Sequence, residues 1–303
     1  YALRRVLATL PTLLAVITVC YLLLHLTPGG PFDAEHQVSA AVMANLEAKY
    51  HLDEPLWKQY FLYLGSLLQG DLGASFRYED WSVNELVAKA LPISAAIGGG
   101  SLLIGVLIGV ALGTWAALRQ NSVADYVVMF VGNTGSAFPS FVIGPVLILV
   151  FAIWLKVAPA GGWNDFDPRY MMLPMALLVF IHVGTIGRVM RGSMIEVLHS
   201  NFIRTARAKG LPMRTVVLRH AIKPALLPVV SLIGPMAISS ITAAVVTESV
   251  FSIPGLGKLI VNGAANRDYT LVLGLVVLVT VIAVIFNLLV DLAYAALDPK
   301  IRY

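Results

Sequence analysis

The chain has 303 residues, 58% of them hydrophobic and 13% charged, with a mean hydropathy of +0.81 and a formal net charge of +4. A soluble globular protein carries roughly 25% charged residues to solvate its surface, so much of this surface is expected to face lipid, which excludes an ordinary soluble enzyme or binding module. One cysteine, Cys20, excludes an internal disulfide and a cysteine-based metal site.

Six runs free of Asp, Glu, Lys and Arg stand out: 6–32, 90–118, 126–155, 170–187, 224–247 and 269–290. A helix needs about 20 apolar residues to cross the hydrocarbon, and backbone in lipid must satisfy its own polar groups. The pattern predicts an all-α integral membrane protein with six transmembrane helices. The first run follows Arg4-Arg5 and is too long for a cleavable signal core, so it is expected to stay in the membrane. No Met precedes Tyr1, which leaves room for native residues ahead of it.

Residues 33–89 are predicted to fold as a small helical segment outside the cytoplasm. Asp53-Glu54-Pro55 is a helix start, Leu56, Tyr60, Leu64 and Leu67 share a face, and Gly70-Asp71 with Gly73 ends the helix. Ser82 with Glu85 forms a capping box for a second helix. In the second run, Ser101, Gly105, Gly109 and Gly113 recur every four residues, a spacing that lets helices approach closely in lipid.

The segment 188–223 follows the fourth run and carries eight basic residues against the single acid Glu196. Met194 or Ile195, then Leu198, Phe202 and Ala206 fall on one helical face, with Arg204, Arg207 and Lys209 opposite. Gly210 and then Leu211-Pro212 stop that helix, and a short basic helix from Arg214 to Lys223 leads to Pro224 and the fifth run. From pattern alone the apolar stripe could rest on lipid or in a groove of a partner protein.

Charge sets the orientation. The side holding both termini, the 119–125 loop and 188–223 carries thirteen Lys and Arg, opposed clearly by Asp125, Glu196 and Asp298, with Asp291 at the very end of the sixth run; the other side carries eight basic and thirteen acidic residues. The first side is therefore expected to be cytoplasmic, and the basic charge follows topology rather than nucleic acid.

The stretch Asn201-Phe202-Ile203-Arg204-Thr205-Ala206-Arg207-Ala208-Lys209-Gly210-Leu211 resembles the cytoplasmic loop of binding-protein-dependent ABC importer permeases. Ala206 and Gly210 match the general motif. Arg204 stands at its Glu position, Thr205 at its first Ala and Ile222-Lys223 at its later Leu-Pro, departures typical of the peptide and nickel branch. Thr27-Pro28-Gly29, Gln69-Gly70-Asp71-Leu72-Gly73, Glu248 to Gly257, Arg267-Asp268-Tyr269 and the terminus from Asp298 resemble the same branch. Met43-Ala44-Asn45 through Leu52 looks most like its B-type oligopeptide permease subunits.

The resemblance implies a type I ABC importer permease in the bacterial inner membrane that forms half of a path for peptides. Its partners would be a homologous second permease, two cytoplasmic ABC ATPase subunits and a periplasmic or lipid-anchored substrate-binding protein. It implies regions 1–32 (the N-terminus and first span), 33–89 (periplasmic) and 90–303 (core permease). It makes 188–223 the coupling loop, with Leu198, Phe202 and Ala206 filling an ATPase groove, Arg204 and Arg207 pairing with acids at its rim, and Gly210 as the hinge. Polar residues of spans three and five, Asn133, Thr134, Ser136, Ser239, Ser240 and Thr242, are pathway candidates, because hydroxyls and amides offer peptide-like hydrogen bonds at little charge cost. Glu248 caps the end of the fifth span or lines the external gate, which makes it the periplasmic gate candidate.

Relatives also carry nickel complexes, glutathione and other small solutes. A secondary transporter or channel is the rival class; ion coupling calls for mid-membrane ionisable groups, and of His25, His182, Glu248 and Asp291 the most central is His182, which reads first as a hydrogen-bonded packing residue. No metal site, cofactor or catalytic residue is expected. The chain lacks G-x-x-x-x-G-K-[ST], Gly255-Leu256-Gly257-Lys258 reads as a tight turn, and ATP is expected to bind the partner subunits.

Overall fold

The computed structural model describes residues 2–26, 54–78 and 80–297. Among them the backbone is helical without a strand, one isolated bridge joining Ala74 and Ser82. Four described helices contain segments long and apolar enough to cross a membrane: Val83–Leu118, Pro168–Leu198, Met213–Ser240 and Tyr269–Val290. A bent pair, Val123–Gly135 and Ser140–Trp154, supplies a fifth candidate.

Helix α1 is Ala2–Leu26, whose stretch Pro11–Leu26 is a shorter apolar helix. The end of the first run and residues 33–53 lie outside the described residues. Helix α2, Leu56–Leu68, begins after Pro55 and ends at Gln69, with Gly70 at φ +77°. A left-handed residue terminates a helix at little cost when it is glycine.

Helix α3 is Val83–Leu118, continuous through a π-helical stretch at Ala95–Gly99. The capping box forms: Glu85 N donates to Ser82 Oγ at 3.2 Å and Ser82 N donates to Glu85 Oε2 at 2.9 Å. It caps the second span itself rather than a separate external helix. Leu86 to Leu91 contains nothing that stops a helix, so the helix starts at Val83, ahead of the apolar run that begins at 90.

The third run is not one straight span. Helix α4, Val123–Ala137, and helix α5, Ser140–Trp154, are bent by 105° across Phe138 and Pro139. Proline disfavours the helical conformation of the residue before it, and Phe138 is extended at φ −95°, ψ 132°. Helix α6, Pro168–Leu198, runs 31 residues from an Asp167 cap and so carries the fourth span beyond Gly187. Helix α7 is Asn201–Ala208. Helix α8 covers residues 213–250 with a π-helical stretch at Val216–Ala221, so the basic helix and the fifth span are one rod. Helices α9, Leu256–Ala265, and α10, Tyr269–Leu297, complete the described residues.

The Cα positions divide into two compact units, residues 1–92 with 258–281 and residues 93–257 with 282–303. In the first, Thr18 of α1 hydrogen-bonds the Tyr60 hydroxyl of α2 at 2.6 Å, and the Tyr21 ring meets those of Tyr60 and Tyr63 at 5.2 and 6.2 Å. Buried Ser75 donates to the Asp268 carboxylate, whose other oxygen accepts from Leu271 N at 3.1 Å. This fixes the loop before α3 to the start of α10.

In the second unit, the small-residue stripe of α3 packs on α6. A Cβ on Gly105 would stand 2.5 Å from His182 Cβ, one on Gly109 2.8 Å from Ile186 Cβ, and one on Gly113 2.5 Å from Gly187 O. A Cβ on Gly132 of α4 would stand 3.1 Å from Gly184 Cα of α6, and one on Gly184 would collide with Gly132 O. These four contacts hold three helices near backbone contact, which is how helices gain dispersion energy in lipid, where no hydrophobic term favours association.

Candidate functional site

The coupling segment is built from the end of α6, the whole of α7 and the start of α8. His199 and Ser200 interrupt the helix, Ser200 at φ −69° and ψ 156°. The break resets the helical phase. Counting four residues on from Leu198 therefore does not find the same face, and the stripe Leu198, Phe202, Ala206 is corrected. Leu198, Ile203 and Ala206 point inward into a core with Val216, Val217 and Ala221, and Ile203 is fully buried. Leu198 and Ala206 cannot fill a groove on another subunit while packed there. Phe202 is 51% exposed, and Arg204, Thr205, Arg207, Ala208 and Lys209 are exposed beside it.

The stop after α7 is as read from the sequence. Gly210 sits at φ +77°, its N–H donating to Arg207 O at 2.9 Å, and a Cβ there would meet nothing within 4 Å. Glycine is required by backbone conformation rather than by crowding.

Polar side chains tie α4, α6 and α8 together. Arg191 grips the Asp125 carboxylate with both arms, at 2.5 and 2.6 Å, and Asn121 N donates to the same group at 2.9 Å. A two-armed Arg–carboxylate pair fixes orientation as well as distance. Arg188 donates to Asn133 Oδ1 at 3.1 Å, so this pathway candidate holds a basic group of α6. Buried His182 lies 3.0 Å from Ser240 Oγ, which donates to Met236 O at 2.7 Å. A hydroxyl has one proton to give, which assigns the His182 Nε2–H as donor to Ser240.

Ser240 is buried in this pair and is withdrawn from the pathway candidates. Ser239 is exposed, and Thr134 is half-buried with its hydroxyl on Phe130 O at 2.9 Å. The side chains of Ser136 and Thr242 lie outside the described positions.

Glu248 is not on an open surface. It is wholly buried, its Oε1 accepts from Ser94 Oγ at 2.5 Å, and Ser94 Oγ accepts from Leu256 N at 2.8 Å. A Cβ on Gly255 would collide with the Glu248 carboxylate, and one on Gly257 would stand 3.0 Å from its Oε2. Glu248 therefore fastens the turn after α8, at the end of that helix. Ser94, which no motif singled out, is its partner. An acid filling this turn is also the reverse of what a phosphate needs. Among the described residues no three His, Cys, Asp or Glu could together hold a metal ion.

Comparison with known proteins bears on the whole chain. Residues 109–303 match the family described as binding-protein-dependent transport system inner membrane component. The oligopeptide transport system permease protein OppB of Haemophilus influenzae is 55% identical over 300 residues, covering 99% of this chain and 98% of that one. OppB of Escherichia coli K12 is 52% identical over 303 residues, 100% and 99% of the two chains. The chain belongs to the binding-protein-dependent inner membrane component family.

A more distant family member, the dipeptide transport system permease protein DppB of Bacillus subtilis, is 40% identical over 302 residues, 100% of this chain and 97% of that one. A chain of the inward-facing MetNI methionine ABC transporter superposes with a TM-score of 0.59 at 15% identity, over 70% of this chain and 96% of that chain. That likeness shows the fold, the type I importer permease architecture. As an inner membrane component with several long apolar helices, the chain is a multi-pass membrane protein.

Proposed function

We propose that this chain is the permease subunit of an ATP-driven peptide importer. The observation that carries the reading is identity above 50% along essentially the whole length of two oligopeptide permeases. In this reading six spans place both termini in the cytoplasm, with residues 33–89 on the outer side. A related second permease completes the path, two separate ATPases bind and hydrolyse ATP, and a binding protein delivers substrate.

Helix α7 is the contact to one ATPase, through Phe202, with Arg204 and Arg207 pairing acids at the groove rim. The core behind Ile203 and Ala206 makes α7 move with the ends of α6 and α8, and Gly210 sets the angle at which the chain returns. Asn133, Thr134 and Ser239 remain the described pathway candidates.

The test is uptake of a labelled oligopeptide by cells lacking their own permease and supplied with this chain, its partner permease, both ATPases and the binding protein. Uptake that disappears when this chain is omitted is expected. A system that moves a nickel complex or glutathione and no peptide would assign the chain to another substrate of the branch.

A further inference from the structure

Helix α2 carries three faces. Tyr60, Tyr63 and Leu67 are partly buried, with the two tyrosines turned to α1. Lys58, Ser66 and Gln69 lie on another side, which Leu62, 48% exposed, interrupts, and Lys58 is bonded to Glu54 at 2.5 Å. Between these faces Trp57, Phe61, Leu64 and Leu68 fall at i, i+4, i+7 and i+11, one helical stripe. Trp57 is 66%, Phe61 65% and Leu68 91% exposed. An apolar stripe of this length marks a surface that something other than water covers.

The depth of α2 decides what covers it. Arg4 and Arg5 cannot enter the hydrocarbon, so they mark the deepest possible inner boundary of α1. At 1.5 Å per residue, Thr18 and Tyr21 then stand at most about 20 and 25 Å above that boundary, within a core about 30 Å thick. Tilting α1 lowers them further. The residues of α1 that hold α2 thus lie at least about 5–10 Å below the outer edge of the hydrocarbon. At the same level Leu22, Leu23 and Leu26 of α1 are 48%, 60% and 74% exposed, so the stripe continues a surface that already faces lipid.

We propose that α2 is a membrane-embedded interfacial helix, its Trp57–Phe61–Leu64–Leu68 stripe sunk among the acyl chains of the outer leaflet and its Lys58 side in the headgroups. The helix belongs to the segment expected to fold outside the membrane, but it lies in the surface of the bilayer. Interfacial helices bury their apolar face about 5–10 Å deep, which matches the height set by Thr18 and Tyr21. The consequence is an anchor that keeps α2 at the level of the outer part of α1. The proposal rests on the orientation adopted above.

Nitroxide labels on Trp57→Cys, Phe61→Cys, Leu68→Cys and Lys58→Cys, each made in a Cys20→Ala chain, test it. The complete importer is reconstituted in phosphatidylethanolamine–phosphatidylglycerol nanodiscs, and collision with oxygen is compared with collision with a water-soluble nickel chelate. Oxygen is expected to dominate at 57, 61 and 68, and the chelate at 58. Chelate-dominated collision at 61 and 68 overturns the proposal. So does protection from both reagents, which would mean that another subunit or the binding protein covers the stripe. Peptide uptake is measured on the same samples. An importer that moves no peptide speaks against the functional reading, whereas the collision ratio speaks only to the lipid contact.

Discussion

The two apolar neighbours Phe202 and Ile203 should separate docking from folding. Phe202 is 51% exposed and Ile203 is fully buried. A buried Phe removes roughly 200 Å² from water, so covering the exposed half of Phe202 with an ATPase groove would bury about 100 Å². At about 25 cal/mol per Å² this is worth about 2.5 kcal/mol at most, and about 1.5 kcal/mol if the ring edge stays wet. Phe202→Ala is therefore expected to weaken ATPase binding roughly 10- to 60-fold. It should change the chain's own stability by less than about 0.5 kcal/mol.

Ile203→Ala should do the reverse at its source, costing about 2–5 kcal/mol of local packing. Helix α7 would then open more often, and trypsin would cut faster at Arg204 and Arg207 in the purified chain. Ala206→Asp, which puts a carboxylate in the same core, should behave like Ile203→Ala rather than as a clean interface variant. The assays are tryptic cleavage rate and ATPase affinity on the same detergent-solubilised preparations. An ATPase affinity unchanged within about twofold by Phe202→Ala, with unaltered cleavage, would refute the outward-face argument.

Gly210→Val should cost about 1–2 kcal/mol or more, because a β-branched residue is forced into the left-handed region, and it should lower uptake while membrane levels hold; Gly210→Asn should be milder, as measured by uptake per unit of inserted protein. Gly109→Val should lower the melting temperature of the purified chain and cost about 1–3 kcal/mol through overpacking against Ile186 and Gly187, whereas the same change at Gly192, with nothing within 4 Å of a Cβ, should not. Asp125→Asn should destabilise the α4–α6 contact by leaving Arg191 without its ion partner, and the swapped pair Asp125→Arg with Arg191→Asp should recover part of the loss in melting temperature. Cysteines at Lys89 and Ala208, placed in a Cys20→Ala chain, should react with an impermeant reagent from opposite sides of the membrane, Lys89→Cys from outside; labelling of both from one side would overturn the topology.

What the sequence determined by itself follows from rules that act over a few residues or over a whole run. The long apolar stretches, the Ser82–Glu85 cap, the Gly70 and Gly210 stops and the spacing of Gly105, Gly109 and Gly113 each express a local requirement: backbone satisfaction in lipid, an orphan N–H, a left-handed residue, a missing Cβ. Tertiary structure decided the questions of phase and partnership. Phe202 and Ile203 are adjacent and both apolar, and a two-residue break at His199 and Ser200 is enough to turn one inward and the other out. Ser94 and Glu248 are 154 residues apart, and His182 and Ser240 are 58 apart; neither pair leaves a periodic trace, since a single hydrogen bond across helices requires only that two side chains meet. The break at Pro139 was written in one residue, but the 105° angle between the two helices is not, since the proline rule excludes a helical residue before it without fixing the direction in which the chain resumes. Composition decides that a helix lies in lipid, whereas the neighbours it packs against decide which of its faces does.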